Sequence, residues 1–328
     1  MAHIDRALRS NIKLRHLQLL VALDEFRHLG RTAEFLSVSQ PAVSKTLTEI
    51  EKMLDLVLFI RSTRGTEPTS AGEALIRFAR GVIAQYERTR EEIDAAGTGA
   101  MVRARVGAMG AALPVLLNRA VALLKTRSAQ ATVLVEEGDL THLLPKLRLA
   151  ELDLIVGRLE PGYAAPDLAT EALYNEPMSA VVRVGHRLAS PAGKTGARRR
   201  APAASWEDLA GLPCVMPPPW ASLRVKLEQA FLARGLEPPS DRIETSSYLA
   251  VAAFVADSDA VGFLARSVAA RLARQGQLHM LDLAVPVELP PVGIITMRER
   301  ALPGGARQLS ECLRLAAGEV SATSRQAV

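Results

Sequence analysis

Hydrophobic positions in the first third of the chain recur at helical spacing, broken by short polar turns. Leu17, Leu20 and Val21 share one face of residues 14–26 and predict an amphipathic first helix; a short second helix follows over 30–36. The turn Ser37-Val38-Ser39 leads into a third helix, with Ser39 suited to the N-cap and Pro41 in the first turn, where a missing N–H does no harm. Along it Val43, Leu47, Ile50 and Leu54 are spaced by four, three and four, while Gln40, Ser44, Lys45, Thr48 and Lys52 take the opposite side. Two short extended pieces, 58–61 and 66–68, flank a Gly-containing turn and predict a β-wing. Ser70-Ala71-Gly72-Glu73 has the form of a capping box opening a long helix. On that helix Leu75, Phe78, Val82, Tyr86 and Ile93 form an apolar stripe, with Arg77, Arg80, Arg88 and Glu91 read as solvated. Gly97-Thr98-Gly99 reads as a hinge.

Beyond residue 100 apolar strands alternate with amphipathic helices. Strands are predicted at 102–106, 132–136 and 152–157, with helices at 113–125 and 141–150 between them. After Leu173 the pattern restarts, with strands at 178–184, 213–216, 243–245 and 260–264 and helices at 206–209, 222–234 and 249–256. A strand at 292–297 returns to the first sheet. This alternation predicts two α/β lobes, each built on a mostly parallel sheet, with a cleft between them suited to a small molecule.

Helix, short helix, turn and a polar-faced helix make a helix-turn-helix, whose recognition helix meets base edges through its N-terminal residues. Beside it, Arg64 at the wing tip suits a minor groove and Arg61 a phosphate. Bulk properties permit this reading without proving it. The 328 residues are 48% hydrophobic and 23% charged with net charge +5. Residues 1–66 hold ten Lys/Arg against seven Asp/Glu, a balance of only +3, so the positions of the charges carry the argument. The N-terminus lacks a signal-peptide profile and the longest apolar runs are too short to span a membrane, which predicts a cytoplasmic protein.

Enzyme chemistry has little support. His142, His186 and His279 are scattered, and there is no HExxH, Gly-x-Ser-x-Gly or Walker loop. Residues 107–110 do not form a dinucleotide fingerprint. Cys214 and Cys312 have no metal-type spacing and read as buried apolar side chains. The run Arg198-Arg199-Arg200 lies in the Pro-, Gly- and Arg-rich segment 190–204 and reads as solvated. No catalytic residue, metal or cofactor is expected.

Residues 14–80 resemble the winged helix-turn-helix of LysR-type transcriptional regulators. The match runs through Ala33, Leu36, Ser39-Gln40-Pro41-Ala42, Ser44, Leu47, Glu51, Leu54, Leu58-Phe59, Arg61, Arg64-Gly65, Thr69 and Ala71-Gly72. The resemblance implies DNA contacts from Gln40, Pro41, Ser44, Lys45 and Arg64; Arg31, Ser39 and Arg61 complete the candidate set. Two positions depart from the family pattern. Gly30 replaces the Ser/Thr that begins the second helix and touches phosphate, so a backbone N–H would have to serve there. Asp55 replaces a glycine after the recognition helix, where Asp tolerates the left-handed conformation. The run His28-Leu29-Gly30-Arg31 resembles a branch regulating sugar and aromatic-acid catabolism.

Residues 102–300 resemble the effector-binding domain of the same regulators, related in fold to periplasmic solute-binding proteins. Val106-Gly107, Leu113-Pro114, Glu136-Glu137-Gly138, Leu144, Leu147, Glu151-Leu152-Asp153-Leu154, Gly157-Arg158, Gly185-His186 and Leu188-Ala189 carry that likeness. Ser258 and Ala265 depart from the usual glycine and proline. Helix N-termini facing the cleft are expected to bind an effector through free N–H groups. The candidates are Gly110, Ala111 and Ala112; Pro218, Trp220, Ser222 and Arg224; and Thr245 and Ser246, with Gly138 and Asp139 added by family position. Arg224 is expected to pair with a ligand carboxylate.

The expected organisation is a DNA-binding domain over 1–69, a linker and dimerisation helix over 70–97, and an effector domain over 98–320. Within the last, lobe I covers about 101–175 and 283–315 and lobe II about 176–282. Expected partners are a pseudo-palindromic double-stranded DNA site, a small effector such as a sugar or carboxylic acid, and copies of the chain, paired through the 70–96 helix into a homodimer and a homotetramer. No membrane partner is expected. The rivals are a solute-binding protein, a constitutive DNA-organising protein and an α/β enzyme.

Overall fold

A computed structural model describes residues 2–62, 65–98, 103–189, 204–219, 221–281 and 287–326. The chain divides into two compact units, Met1–Met101 with Arg148–Leu152, and Val102–Leu147 with Asp153–Val328.

The first unit runs α1 (Ala2–Arg6), α2 (Leu14–Phe26), α3 (Leu29–Phe35), α4 (Gln40–Leu54), β1 (Phe59–Ser62), β2 (Gly65–Pro68) and α5 (Ser70–Thr98). Ser37 takes a left-handed turn at φ 55° and Ser39 caps α4, its hydroxyl accepting from the Ala42 N–H at 3.4 Å. Val43, Leu47, Ile50 and Leu54 are all buried against Leu17, Leu20 and Leu23. Each such side chain contributes roughly 1.5–3 kcal/mol through the apolar surface it removes from water. Asp55 ends α4 in the left-handed conformation at φ 54°, as its place in the sequence expects. β1 and β2 pair antiparallel, from Phe59 opposite Pro68 to Ser62 opposite Gly65. Gly65 is required there: at φ 137° an added Cβ would lie 2.8 Å from the Arg27 carbonyl oxygen.

α5 differs from its sequence reading in four respects. Its cap is Thr69, not Ser70: the Thr69 hydroxyl, anchored on the Val57 carbonyl at 2.8 Å, accepts the Gly72 N–H at 3.1 Å. The apolar stripe divides. Leu75, with Ile76 and Ala79, packs into the unit's own core, whereas Phe78, Tyr86 and Ile93 are 46%, 49% and 66% exposed. Arg80 is half-buried in an ion pair with Asp24 at 3.0 Å, and Arg88 is buried. The helix also continues through Gly97 and Thr98, where a hinge was expected, while Gly99 lies outside the described residues.

The second unit continues with β3 (Arg103–Ala108), a π-turn (Leu113–Leu117), α6 (Asn118–Arg127), β4 (Thr132–Glu137), α7 (Leu140–Arg148), β5 (Leu154–Arg158), β6 (Leu168–Tyr174) and β7 (Met178–Arg183). Then come α8 (Trp206–Leu209), β8 (Cys214–Met216), α9 (Ser222–Leu232), β9 (Arg242–Glu244), α10 (Tyr248–Ala256), β10 (Val261–Ala265), α11 (Arg266–Arg274), β11 (Leu278–Met280), β12 (Val292–Met297) and α12 (Gly304–Gln326). One sheet has the order β4-β3-β5-β12-β6, the other β11-β7-β10-β8-β9. Both are mixed, which corrects the mostly parallel expectation. β3 runs parallel to β4 and β5, but β12 is antiparallel to β5 and β6; β8 runs parallel to β9 and β10, but β7 is antiparallel to β10 and β11. Strands that cross from one lobe to the other enter from the opposite direction, so each sheet gains antiparallel members. At the departure from the family glycine, Ser258 supplies local caps, donating to the Phe254 carbonyl and accepting from the Ala260 N–H.

Candidate functional site

The polar face of α4 is the first candidate. Ser39, Gln40, Pro41 and Lys45 are exposed at its N-terminal end and Ser44 is half-buried beside them. Arg31 is exposed on α3, Arg61 on β1, and Arg64 lies outside the described residues. The wing is tied to the helix at its root. Glu51 Oε1 accepts the N–H groups of Leu58 at 2.8 Å and Phe59 at 3.2 Å. Arg61 crosses back over α4, donating to Ser44 Oγ at 2.8 Å and Thr48 Oγ1 at 3.5 Å. His28 is a residue that sequence reasoning passed over as chemistry. Its Nδ1 accepts the N–H groups of Gly30 at 3.0 Å and Arg31 at 3.4 Å. The sequence reading left the phosphate to a backbone N–H at this helix start, but the Gly30 and Arg31 N–H groups already have an acceptor in His28.

The second candidate is a cavity of about 630 Å³ between the two sheets of the second unit. Gly110, Ala111, Gly138, Asp139, Pro218, Thr245 and Ser246 line it, drawn from both lobes. Among the described residues the N–H groups of Gly110, Ala111 and Ser246 have no acceptor. Gly110 closely faces Ser246: a Cβ at Gly110 would lie 3.9 Å from the Ser246 carbonyl oxygen and 3.8 Å from Glu137 Oε1. Both lobes therefore contribute N–H groups without a protein acceptor to the lining of one space able to hold a small molecule.

Three predicted residues stand apart from it. Ala112 is buried in the lobe I core. The Ser222 hydroxyl donates to Glu160 Oε1 at 2.7 Å. Arg224 is buried, its Nε donating to Glu228 Oε1 at 2.6 Å and its Nη1 to Glu244 Oε1 at 3.1 Å and the Pro217 carbonyl at 3.2 Å. Its guanidinium is thus taken up by protein carboxylates and does not line the cavity. Trp220 lies outside the described residues.

His142 and Arg158 also line the cavity, though sequence reasoning did not select them, and further titratable groups lie near or behind them. His142 Nε2 meets Glu136 Oε1 at 2.6 Å, and Lys146 donates to the same oxygen. Burial pushes the Glu136 carboxyl up, but the bonds from Lys146 and His142 outweigh it and hold it below the usual range. The Asp139 carboxyl is also lowered, chiefly by the Thr141 hydroxyl. Arg158 reaches the cavity at the end of β5, donating to the carbonyls of Pro290 at 2.8 Å and Glu176 at 2.9 Å. Burial lowers the Arg158 guanidinium and raises the Glu176 carboxyl. His186 is buried, with Nδ1 accepting the Leu188 N–H at 3.1 Å, and burial pushes the Cys214 thiol up to about 12. Neither group is set up as a base or nucleophile.

The comparisons agree across the chain. Residues 14–73 match the bacterial regulatory helix-turn-helix model of the lysR family, and residues 99–317 match the LysR substrate binding domain. The regulator GbpR of Azospirillum brasilense is 33% identical over 315 residues, 94% of this chain and 88% of that protein. PcaQ of Agrobacterium fabrum is 31% identical over 310 residues, 94% of this chain and 96% of its own. The crystal structure of CbnR, a LysR family transcriptional regulator, has the same fold at a TM-score of 0.70 and 22% identity, covering 93% of this chain and 99% of that one. CbnR has also been solved with its target DNA. The curated relatives are transcriptional regulators, not enzymes, and no described helix is long and apolar enough to cross a membrane. With a helix-turn-helix face in one unit and a ligand-sized cavity in the other, the chain belongs to the LysR family of ligand-responsive, DNA-binding transcriptional regulators.

Proposed function

We propose that the chain acts in the cytoplasm as an effector-controlled reader of a pseudo-palindromic promoter site. Residues 1–69 contact DNA through Arg31, Ser39, Gln40, Pro41, Ser44, Lys45, Arg61 and Arg64. Residues 70–97 pair subunits, and residues 98–320 sense a small metabolite. The exposed Phe78, Tyr86 and Ile93 on α5 support the pairing, because a stripe this apolar favours a partner helix over water. A homodimer presents two recognition helices, and a homotetramer doubles that number over a longer site.

The observation that carries the effector reading is that one cavity is lined by Gly110 and Ala111 from one lobe and Ser246 from the other, whose N–H groups have no acceptor among the described residues. Backbone donors on the lining favour a carboxylate, while Glu137 and Asp139 on the same lining accept from hydroxyls. A sugar acid or other hydroxylated carboxylic acid meets both demands, within the sugar and aromatic-acid branch that residues 28–31 resemble. The test is a thermal-shift screen of the full chain against sugars and small carboxylic acids. A ligand at a hundred times its dissociation constant stabilises by about 2.7 kcal/mol and raises the melting temperature. If Ser246→Pro, which removes one donor, leaves the shift from the best hit unchanged, the cavity is not its site.

A further inference from the structure

The recognition helix and the first strand of the wing are braced twice. At the root Glu51 holds the Leu58 and Phe59 N–H groups; further along, Arg61 grips Ser44 and Thr48. Ser44 and Thr48 are one helical turn apart, opposite the buried Val43, Leu47 and Ile50, so a single guanidinium can span both hydroxyls. The proton inventory then decides what each hydroxyl can do. A hydroxyl has one proton and can accept twice. Thr48 donates its proton to the Ser44 carbonyl at 3.0 Å and accepts weakly from Arg61. Ser44 Oγ accepts from Arg61 at 2.8 Å, and among the described residues its own proton has no acceptor.

We infer that Arg61 is a positioning residue that holds the Ser44 hydroxyl with its proton outward, making Ser44 a donor that reads an acceptor on a base edge. Arg61 acts through Ser44 and does not itself neutralise a phosphate. In the major groove guanine O6 and N7, adenine N7 and thymine O4 accept, whereas cytosine offers its N4 amino donor. Cytosine on the strand facing Ser44 is therefore the disfavoured base. The inference rests on α4 being the DNA-reading helix, and it changes the role of Arg61 from backbone contact to aligner of the reading face.

The experiment uses the full chain. A preferred duplex is selected by the wild-type protein from a random pool. Its affinity, that of a scrambled duplex and that of single-base variants are followed by fluorescence anisotropy from about 50 to about 200 mM salt. Arg61→Met and Ser44→Ala should each lower the preferred-to-scrambled ratio about five- to tenfold, the loss expected for one hydrogen bond. The discrimination lost should fall at the same base step in both variants, and the double variant should lose no more than the worse single one. The salt slope should match wild type in all of them. Arg61→Lys, which keeps the charge but replaces the two-nitrogen fork by a single ammonium, should behave closer to Arg61→Met than to wild type, and it serves as the test if the methionine variant is unstable. A slope reduced by about one, with both duplexes weakened alike and Arg61→Lys near wild type, identifies a phosphate contact and overturns the inference. Failure of the wild-type chain to select any sequence overturns the DNA-reading helix itself, and the inference with it.

Discussion

Removing the Glu51 carboxylate should loosen the wing and weaken DNA binding without touching the exposed face of α4. One oxygen accepts two backbone N–H groups, at 2.8 and 3.2 Å, and both donors belong to residues whose side chains are buried, Leu58 and Phe59. In Glu51→Ala those donors lose their acceptor where water has poor access. Each orphaned donor costs about 1–3 kcal/mol, so the wing root loses about 2–4 kcal/mol once partial resolvation is allowed for. Trp206 and Trp220 both lie in the second unit, so tryptophan fluorescence does not report on the wing. Amide exchange of peptides spanning residues 55–62 in the full chain does. A loss of 2–4 kcal/mol corresponds to exchange faster by roughly 30- to 1000-fold if opening is local. Glu51→Gln retains a neutral acceptor and should lie between wild type and alanine. Unchanged protection in Glu51→Ala would refute the brace, as would equal effects of alanine and glutamine.

Four further outcomes are expected. Gly65→Ala forces a Cβ to 2.8 Å from the Arg27 carbonyl at φ 137°, so it should cost about 1–3 kcal/mol and lower affinity for all DNA sequences, checked by anisotropy and amide exchange. Arg224→Met should lower the melting temperature of the full chain modestly, by about 1–2 kcal/mol of stability, because Glu228 and Glu244 are a third or more exposed and recover water; affinity for a cavity ligand should be preserved, as calorimetry would show. Tyr86→Asp should dissociate any assembly held by the exposed stripe of α5, read by analytical ultracentrifugation. Glu136 and Asp139 have folded values below the ordinary carboxylate range, so the stability they supply is present above that range and lost as pH falls through the lowered values. Glu136→Gln should therefore flatten the acid limb of a melting-temperature profile while leaving its neutral limb lower but parallel.

The regular parts of the fold were legible because their causes are local. The four-three-four spacing from Val43 to Leu54, the Ser39 cap and the Asp55 stop all act within α4. Trp206–Leu209 reads as a helix for the same reason, opened by Ser205 and Asp208 in a capping box. β6 escaped because Leu168–Tyr174 alternates weakly, its interior Ala169-Thr170-Glu171-Ala172 carrying no large apolar side chain. The sequence reading places no element after the strand at 292–297, although Leu309, Cys312, Leu313 and Ala316 are buried along the first half of α12. Side-chain partners were harder still. Glu228 is one turn beyond Arg224 and visible as a pair in sequence, but Glu244 arrives from β9 only when the lobe folds. The Glu136–His142 pair likewise depends on α7 doubling back over the end of β4, so the cavity chemistry exists only in three dimensions.

That placement bears on how the cavity can act as a switch. A ligand changes the lobe arrangement only by binding one arrangement more tightly, and moving a population from 1:99 to 99:1 takes about 5.5 kcal/mol of difference. Contacts confined to one lobe are the same in every arrangement and contribute nothing to that difference. The discriminating contacts must be those the second lobe adds across the cavity, whose lining takes residues from both lobes. A charge-assisted hydrogen bond contributes about 1.5–3 kcal/mol, so two or three donors on an anionic ligand suffice, whereas neutral contacts at about half that strength need twice as many. Arg158 adds the mechanical constraint. Its guanidinium holds the Glu176 carbonyl on one crossover and the Pro290 carbonyl on the other, so lobe movement that pulls the crossovers apart must break one of these bonds. A ligand that reaches residues of both lobes can therefore act as the switch, whereas one resting on a single lobe cannot.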